Sequence, residues 1–272
     1  MNAEAAAHRV LLVGCGQMGS AMLRGWLAAD RGARFIVVEP AGLPPAFRDN
    51  PAVSWHAGEA EVSAITPDAI VVAVKPQVID SILPGYRRWS EPQTVFLSIA
   101  AGTTLAGIGR HLGDAAAVRA MPNTPAAIGR AITVACANPR VTDRQRRLCD
   151  DLLAAIGESA WVEEEGLIDA VTAVSGSGPA YVFLMIEALA RAGEKEGLPA
   201  DLALRLARAT VAGSGELARV SAESPARLRE NVTSPGGTTR AALDVLMAEN
   251  GLAPLLERAV AAAAARSREL AS

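Results

Sequence analysis

The apolar run Val10-Leu11-Leu12-Val13, followed at once by Gly14-Cys15-Gly16-Gln17-Met18-Gly19, leaves a chain few ways to fold. A buried strand must turn sharply into a helix, and each glycine serves that turn. Gly14 takes the tight bend, Gly16 lets a pyrophosphate reach the backbone, and Gly19 lets helix and strand pack closely. Residues 20–29 continue as a helix whose unpaired amides and positive dipole end face the anion. The next apolar run, Arg34-Phe35-Ile36-Val37-Val38, ends in Glu39, 20 residues beyond Gly19 and about where a ribose-binding carboxylate is expected. The spacing predicts a dinucleotide-binding βαβ unit, with Gly14, Gly16, Gln17, Met18, Gly19 and Glu39 against the cofactor.

Strand-like runs alternate with helical patterns as far as residue 163. A Pro-rich turn (Pro40, Pro44, Pro45) leads to a weak strand at 53–55. Residues 69–74 read as a central parallel strand, apolar on both faces, that stops at Lys75-Pro76 because proline cannot donate to a ladder. Residues 94–99 and 116–121 repeat the pattern. Further strands are expected at 132–136 and 160–162, with a helix over 142–156 between them. Such alternation predicts a doubly wound parallel sheet. Beyond residue 163 strand patterns vanish, and helices are expected at 167–174, 179–196, 200–220, 225–231, 239–249 and 252–271. The chain therefore divides into an α/β domain, 1–163, and an all-α domain, 164–272. Pro179 suits the first turn of its helix, with Ser177 as its cap.

Composition excludes several classes. A net charge of −3 with scattered arginines gives no electrostatic case for nucleic acid. Cys15, Cys136 and Cys149 are odd in number and lack metal-ligand spacing, which suits a reducing cytosol and predicts no metal; Cys15 reads as a buried filler. Residues 1–8 lack the apolar core of a secretory signal. The longest uncharged apolar stretch, 170–186, is interrupted by Ser175-Gly176-Ser177-Gly178-Pro179, which predicts a helix–turn–helix and argues against a membrane span. Tyr181-Val182-Phe183-Leu184-Met185-Ile186 is bulky around most of a helix circumference, and 202–220 carries a wide apolar face. Helices of this kind bury both sides, which predicts a homodimer or higher homo-oligomer built on the second domain.

In open parallel sheets ligands bind beyond the carboxyl ends of the strands. Val74, Lys75 and Pro76 lie at such an end, Lys75 being one of two lysines in the chain, as do Ala100-Ala101-Gly102 and Met121-Pro122-Asn123-Thr124. Asn123 stands in a rigid polar turn suited to a nicotinamide or its ribose. The second domain adds two loops at helix starts, one carrying Ser175 and the other Thr233-Ser234-Pro235-Gly236-Gly237-Thr238-Thr239. The latter, with glycines, hydroxyls and a helix N-terminus, makes a cradle for a small anion such as a carboxylate. His8, His56 and His111 lie outside these regions. The remaining polar groups are poor at moving protons near neutral pH. A ketone reduction needs an acid for the alkoxide, whereas an imine arrives already protonated and electrophilic. The chemistry points to C=N reduction.

These blocks resemble the pyrroline-5-carboxylate reductase family nearly end to end. The resemblance is carried by Gly14-Cys15-Gly16-Gln17-Met18-Gly19-Ser20-Ala21, Val74-Lys75-Pro76, Met121-Pro122-Asn123-Thr124-Pro125, Thr172-Ala173-Val174-Ser175-Gly176-Ser177-Gly178-Pro179-Ala180-Tyr181 and Asn231-Val232-Thr233-Ser234-Pro235-Gly236-Gly237-Thr238-Thr239. It implies an N-terminal Rossmann domain and a C-terminal helical dimerisation domain, with the site completed across the dimer. It implies that Asn231, Ser234, Gly236, Gly237 and Thr238 hold the substrate, and that Thr239 is proton donor to, or partner of, the ring nitrogen. It implies hydride transfer to C5 of 1-pyrroline-5-carboxylate, giving L-proline; the cysteine usage is what points to the cytoplasm.

One stretch departs from the family habit, which is NADPH. Glu39-Pro40-Ala41-Gly42-Leu43 places an acid where a 2′-phosphate needs a polar or basic stretch. An acid there favours the 2′-hydroxyl of NADH, with Arg48 able to compensate if the loop folds back. Two rivals share the first half of the pattern. A β-hydroxyacid dehydrogenase would carry a catalytic lysine on the helix at 179–193, which has none. A non-catalytic nucleotide-binding protein would have no use for the 234–239 cradle.

Overall fold

The computed structural model describes residues 8–29, 32–62 and 65–271. The absence of a signal-like core at residues 1–8 thus falls almost wholly outside the described residues. The backbone divides into two compact units, Met1–Gly176 together with Ala264–Ser272, and Ser177–Ala263. The change in sequence texture at residue 163 marks where strands end; the division in packing falls further on, and the last residues return to the first unit.

The first unit is an eight-stranded sheet: β1 (Arg9–Val13), β2 (Arg34–Val38), β3 (Val53–His56), β4 (Ala69–Val72), β5 (Val95–Ser98), β6 (Ala116–Met121), β7 (Ala131–Ala137) and β8 (Gly157–Trp161), in the order β3-β2-β1-β4-β5-β6-β7-β8. The first six run parallel, and the reversal of strand order lies between β1 and β4, where a doubly wound sheet opens its ligand crevice. β4 and β5 are buried along their whole length, as both-faced apolar strands must be. Helices α1 (Gln17–Ala28) and α4 (Asp143–Ala154) cover one face, packing Met22, Leu23, Trp26, Leu152 and Leu153. On the other face α2 (Ile79–Tyr86) and α3 (Leu105–Leu112) bury Ile79, Leu83, Tyr86, Ile108 and Leu112.

Four expectations are corrected. The sheet is not wholly parallel: β7 pairs antiparallel with β6, and β8 follows β7. Only a short turn through Thr124–Ile128 joins β6 to β7, too little chain for a parallel crossover, whereas α4 supplies one between β7 and β8. The last strand starts earlier than 160, its polar alternation being that of an edge strand. Finally, the residues read as a helix–turn–helix are not a break. Helix α5 (Leu167–Val171) passes through a π turn, Thr172–Gly176, almost directly into α6 (Gly178–Lys195). Thr172 Oγ1 donates back to the Ile168 carbonyl at 2.7 Å, and the wide turn absorbs the extra residue. Ser177 sits in the helical region and makes no capping hydrogen bond. By length and composition alone Leu167–Lys195, whose most apolar 18-residue window has a mean hydropathy of 1.3, is long and apolar enough to cross a membrane, a test that core helices of soluble proteins also pass. The serine–glycine interruption therefore gives no structural argument against a span.

The second unit holds most of α6, then α7 (Ala200–Val220), α8 (Pro225–Asn231), α9 (Thr238–Leu246) and the start of α10 (Leu252–Leu270). In α6 and α7 the buried residues are Ala190, Ala203 and Ala207, and α8 and α9 bury none. Large apolar side chains face outward instead, Phe183 at 59% and Val245 at 72% exposure among them.

Candidate active site

The glycine-rich turn is built as the spacing requires. Gly14 has φ +90°, a conformation that disfavours side chains, and a Cβ there would lie 2.8 Å from the Ala73 carbonyl oxygen. At Gly19 a Cβ would run into the Gly14 carbonyl. At Gly16, the residue before α1, a Cβ would meet nothing within 4 Å, and no side chain caps the helix. Open space over a glycine, in front of first-turn amides, is the shape and polarity that a pyrophosphate needs. The first unit therefore fits a dinucleotide.

Around this turn lies a cleft of about 690 Å³, lined by Gly16, Gln17 and Met18, residues 73–76, 99–101 and 121–124, and Gly176. Val74, Lys75, Pro76 and Asn123 are thus brought together with the glycine turn. The fully apolar strand β4 ends there, and Lys75 is exposed at the rim. Asn123 is a strut: its Oδ1 accepts the Ile132 amide at 3.1 Å and its Nδ2 donates to Ser175 Oγ at 3.2 Å. Ser175, accepting that bond, keeps its own hydroxyl proton to donate.

Glu39 follows β2, and its carboxylate is fixed by two amides. Oε2 accepts the Cys15 N–H at 2.8 Å and Oε1 that of Ala41 at 3.0 Å. The acid is therefore locked beside the glycine turn. Arg48 Nε donates to the Leu43 carbonyl at 3.1 Å, and among the described residues no cation pairs with Glu39. Cys15 is buried; burial raises its thiol above the ordinary cysteine range, the Ser20 hydroxyl opposing and the Glu39 charge adding to the rise. It is a packing residue.

The second cradle belongs to the second unit. Between α8 and α9, Gly236 turns with φ +67° and the Gly237 amide donates to the Ser234 carbonyl at 3.1 Å. A Cβ at Gly237 would lie 2.5 Å from Ser234 Oγ, so this side chain needs the glycine beneath it. Gly237 precedes α9, which no side chain caps, and Thr238 and Thr239 form its first turn. The first-turn amides and dipole end stand open to a carboxylate. Asn231 closes α8, its Nδ2 donating to Glu223 Oε2 at 2.9 Å.

Sequence reasoning alone does not find Gly176 in the cleft wall, because the π turn that brings it there reads as a loop. Nor does it find what lies behind that wall, where Arg119 meets Glu165 at 3.0 Å; a lone charge inside the apolar strand 116–121 was the available signal.

Residues 165–270 match the model described as pyrroline-5-carboxylate reductase dimerisation, and residues 9–102 that described as NADP oxidoreductase coenzyme F420-dependent. The chain is 38% identical to the pyrroline-5-carboxylate reductase of Pseudomonas aeruginosa over 265 residues, 97% of each chain. It is 40% identical to that of a Synechocystis species, over 95% of this chain and 97% of the other. The solved pyrroline-5-carboxylate reductase of Coxiella burnetii superposes with a TM-score of 0.89 at 33% identity, covering 97% and 98% of the two chains. The Plasmodium falciparum pyrroline carboxylate reductase, solved with NADP bound, gives 0.82 at 29% identity over the same shares.

Proposed function

The chain belongs to the pyrroline-5-carboxylate reductase family, whose NAD(P)H-dependent reduction of 1-pyrroline-5-carboxylate to L-proline it performs, and we propose which residues do so. The glycine turn and the start of α1 hold the pyrophosphate through Gly14, Gly16, Gln17, Met18 and Gly19. The observation that carries this assignment is the open space over Gly16 at an uncapped helix start. Val74, Lys75, Pro76, Asn123 and Ser175 form the wall toward the nicotinamide. When bound, the reduced nicotinamide supplies the hydride that C5 of the substrate takes up.

Ser234, Gly236, Gly237 and Thr238, with Asn231 behind them, grip the substrate carboxylate at the open end of α9. Thr239, one residue further, hydrogen-bonds the ring nitrogen. That nitrogen enters protonated as an iminium and leaves as an amine, so no strong acid is needed, and a threonine suffices. Oxidation of NAD(P)H followed at 340 nm, with pyrroline-5-carboxylate in one arm and 3-hydroxy acids in the reverse direction in another, tests the assignment. Turnover of the imine alone is the expected result, and turnover of hydroxy acids overturns it.

Glu39 sets the cofactor preference. Its carboxylate, fixed by the Cys15 and Ala41 amides and balanced by no cation among the described residues, favours a ribose hydroxyl and repels a 2′-phosphate. The parent enzyme is therefore expected to use NADH with the higher kcat/KM. Glu39→Gln should shift the NADPH:NADH ratio of kcat/KM upward by roughly tenfold, about 1.4 kcal/mol. Strong NADPH preference in the parent would end this role for Glu39.

The outward apolar faces of the second unit are covered by a second copy of the chain. Helices whose buried residues are alanines, while Phe183, Leu217 and Val245 stay exposed, leave the unit without a core of its own. Light scattering at micromolar concentration is expected to give a dimer or a multiple of it; a stable monomer would refute this.

A further inference from the structure

We infer that Arg119 is a positioning residue for the nicotinamide-side wall of the cleft, acting through a partly buried ionic cluster that reaches the last turn of α10. The inference rests on the cleft being the cofactor site. Arg119 is 4% exposed in an otherwise apolar strand. Its Nη1 donates to Glu165 Oε1 at 3.0 Å and its Nη2 lies 3.7 Å from Asp169 Oδ1. Glu165 Oε1 also accepts the amide of Leu105, the first residue of α3, at 2.7 Å. Asp169 Oδ1 accepts the hydroxyl of Ser267, near the end of α10, at 2.7 Å. All of these residues belong to the first unit.

Each element the cluster holds runs into the same wall. Two residues beyond Arg119 on β6 is Met121, where the lining stretch 121–124 begins. The lining stretch 99–101 is followed by Gly102, where a Cβ would lie 2.9 Å from the Leu270 carbonyl, and then by Leu105 in the grip of Glu165. Asp169 lies in α5, and the π turn after it presents Gly176, where a Cβ would sit 2.5 Å from Met121 Cε. Three wall segments thus share one anchor. Buried ion pairs contribute little net stability compared with apolar packing, so stability alone is a poor reason for this one. What it does supply is a fixed register between β6, α3, α5 and the last turns of α10. Across the cleft, Gly16, Gln17 and Met18 at the start of α1 share no contact with the cluster, and Glu39 is held by the Cys15 and Ala41 amides, so the pyrophosphate and ribose contacts do not depend on it.

Loss of the cluster should therefore spoil hydride-transfer geometry and spare cofactor affinity. The test uses the full-length enzyme and the variants Ser267→Ala and Arg119→Lys. The readouts are NADH binding by fluorescence, kcat with pyrroline-5-carboxylate, and the primary isotope effect with 4-deuterated NADH. Small misplacements of reacting atoms cost large factors in rate. On that basis kcat should fall roughly 3- to 10-fold in Ser267→Ala and roughly 10- to 100-fold in Arg119→Lys, with Kd for NADH changed less than about threefold. The isotope effect should rise as hydride transfer becomes rate-limiting. A purely structural role would lower activity in proportion to the unfolded fraction and leave the isotope effect at its parental value, which would overturn the inference. If Arg119→Lys does not fold, Ser267→Ala decides the matter, because it removes one hydroxyl near the chain's end. A parent enzyme that binds no nicotinamide cofactor would overturn the cleft assignment and this inference with it. A parent that binds, with variants of parental kcat, overturns the inference alone.

Discussion

Gly16→Val should leave a folded protein that no longer binds its cofactor. The backbone at Gly16 has φ −67° and ψ −158°, an extended conformation open to any residue, and a Cβ there meets no atom within 4 Å. The substitution thus costs the fold little, with a Tm shift expected within about 2 °C. The valine methyls, however, fill the space in front of the α1 amides where the pyrophosphate is proposed to lie. A loss of at least about 2.7 kcal/mol, roughly 100-fold in Kd for NADH, is expected by fluorescence titration. Gly14→Ala gives the contrasting control. Its φ of +90° and the Ala73 carbonyl 2.8 Å from the added Cβ make that change a fault in the fold, costing on the order of 1–3 kcal/mol in stability. Two glycines two residues apart should therefore fail in different ways, one in binding and the other in unfolding. Normal cofactor affinity in a folded Gly16→Val protein would remove the pyrophosphate from this turn.

The sequence made the first unit legible where physical signals are local. β4 is an unbroken apolar run that ends at a proline, and α1 starts at glycines whose jobs are set by steric contact within a few residues. Strand direction has no such signature. β7 is apolar like its neighbours, and only the length of the 122–130 connection, too short for a crossover, reverses it. The π turn was hidden for the opposite reason. Ser175-Gly176-Ser177-Gly178-Pro179 has the composition of a break, yet Thr172 bonds back to Ile168 and Pro179 falls in the first turn of α6, so the helix carries on. Partners far apart in the chain were out of reach altogether. Glu165 meets Arg119 across 46 residues and Ser267 meets Asp169 across 98. Glu39 shows the middle case: its position after β2 was readable from spacing, while its lock on the Cys15 and Ala41 amides needed the folded turn.

Thr239→Ala tests the other half of the site. The helix whose first turn it shares has Gly237 before it and no side-chain cap, so alanine removes no cap, and alanine is the better helix former. Stability should hold. The hydroxyl is assigned to the ring nitrogen, which is charged as the substrate enters, and a hydrogen bond to a charged group is worth about 1.5–3 kcal/mol. The expected loss is roughly 10- to 150-fold in kcat/KM, seen mainly in kcat because the bond orients the C=N carbon for attack. Thr239→Ser keeps the hydroxyl and should recover most of the rate. Ser234→Ala acts on the carboxylate, which is held equally before and during transfer, and should raise KM while sparing kcat. The two residues flank one helix start within the same unit, so a general disturbance there would move both constants in both variants. Separate losses, kcat at Thr239 and KM at Ser234, mean that the start of α9 grips the acid and aims the imine. Intact turnover in Thr239→Ala would reduce the threonine to a residue of the helix's first turn with no part in aiming the imine.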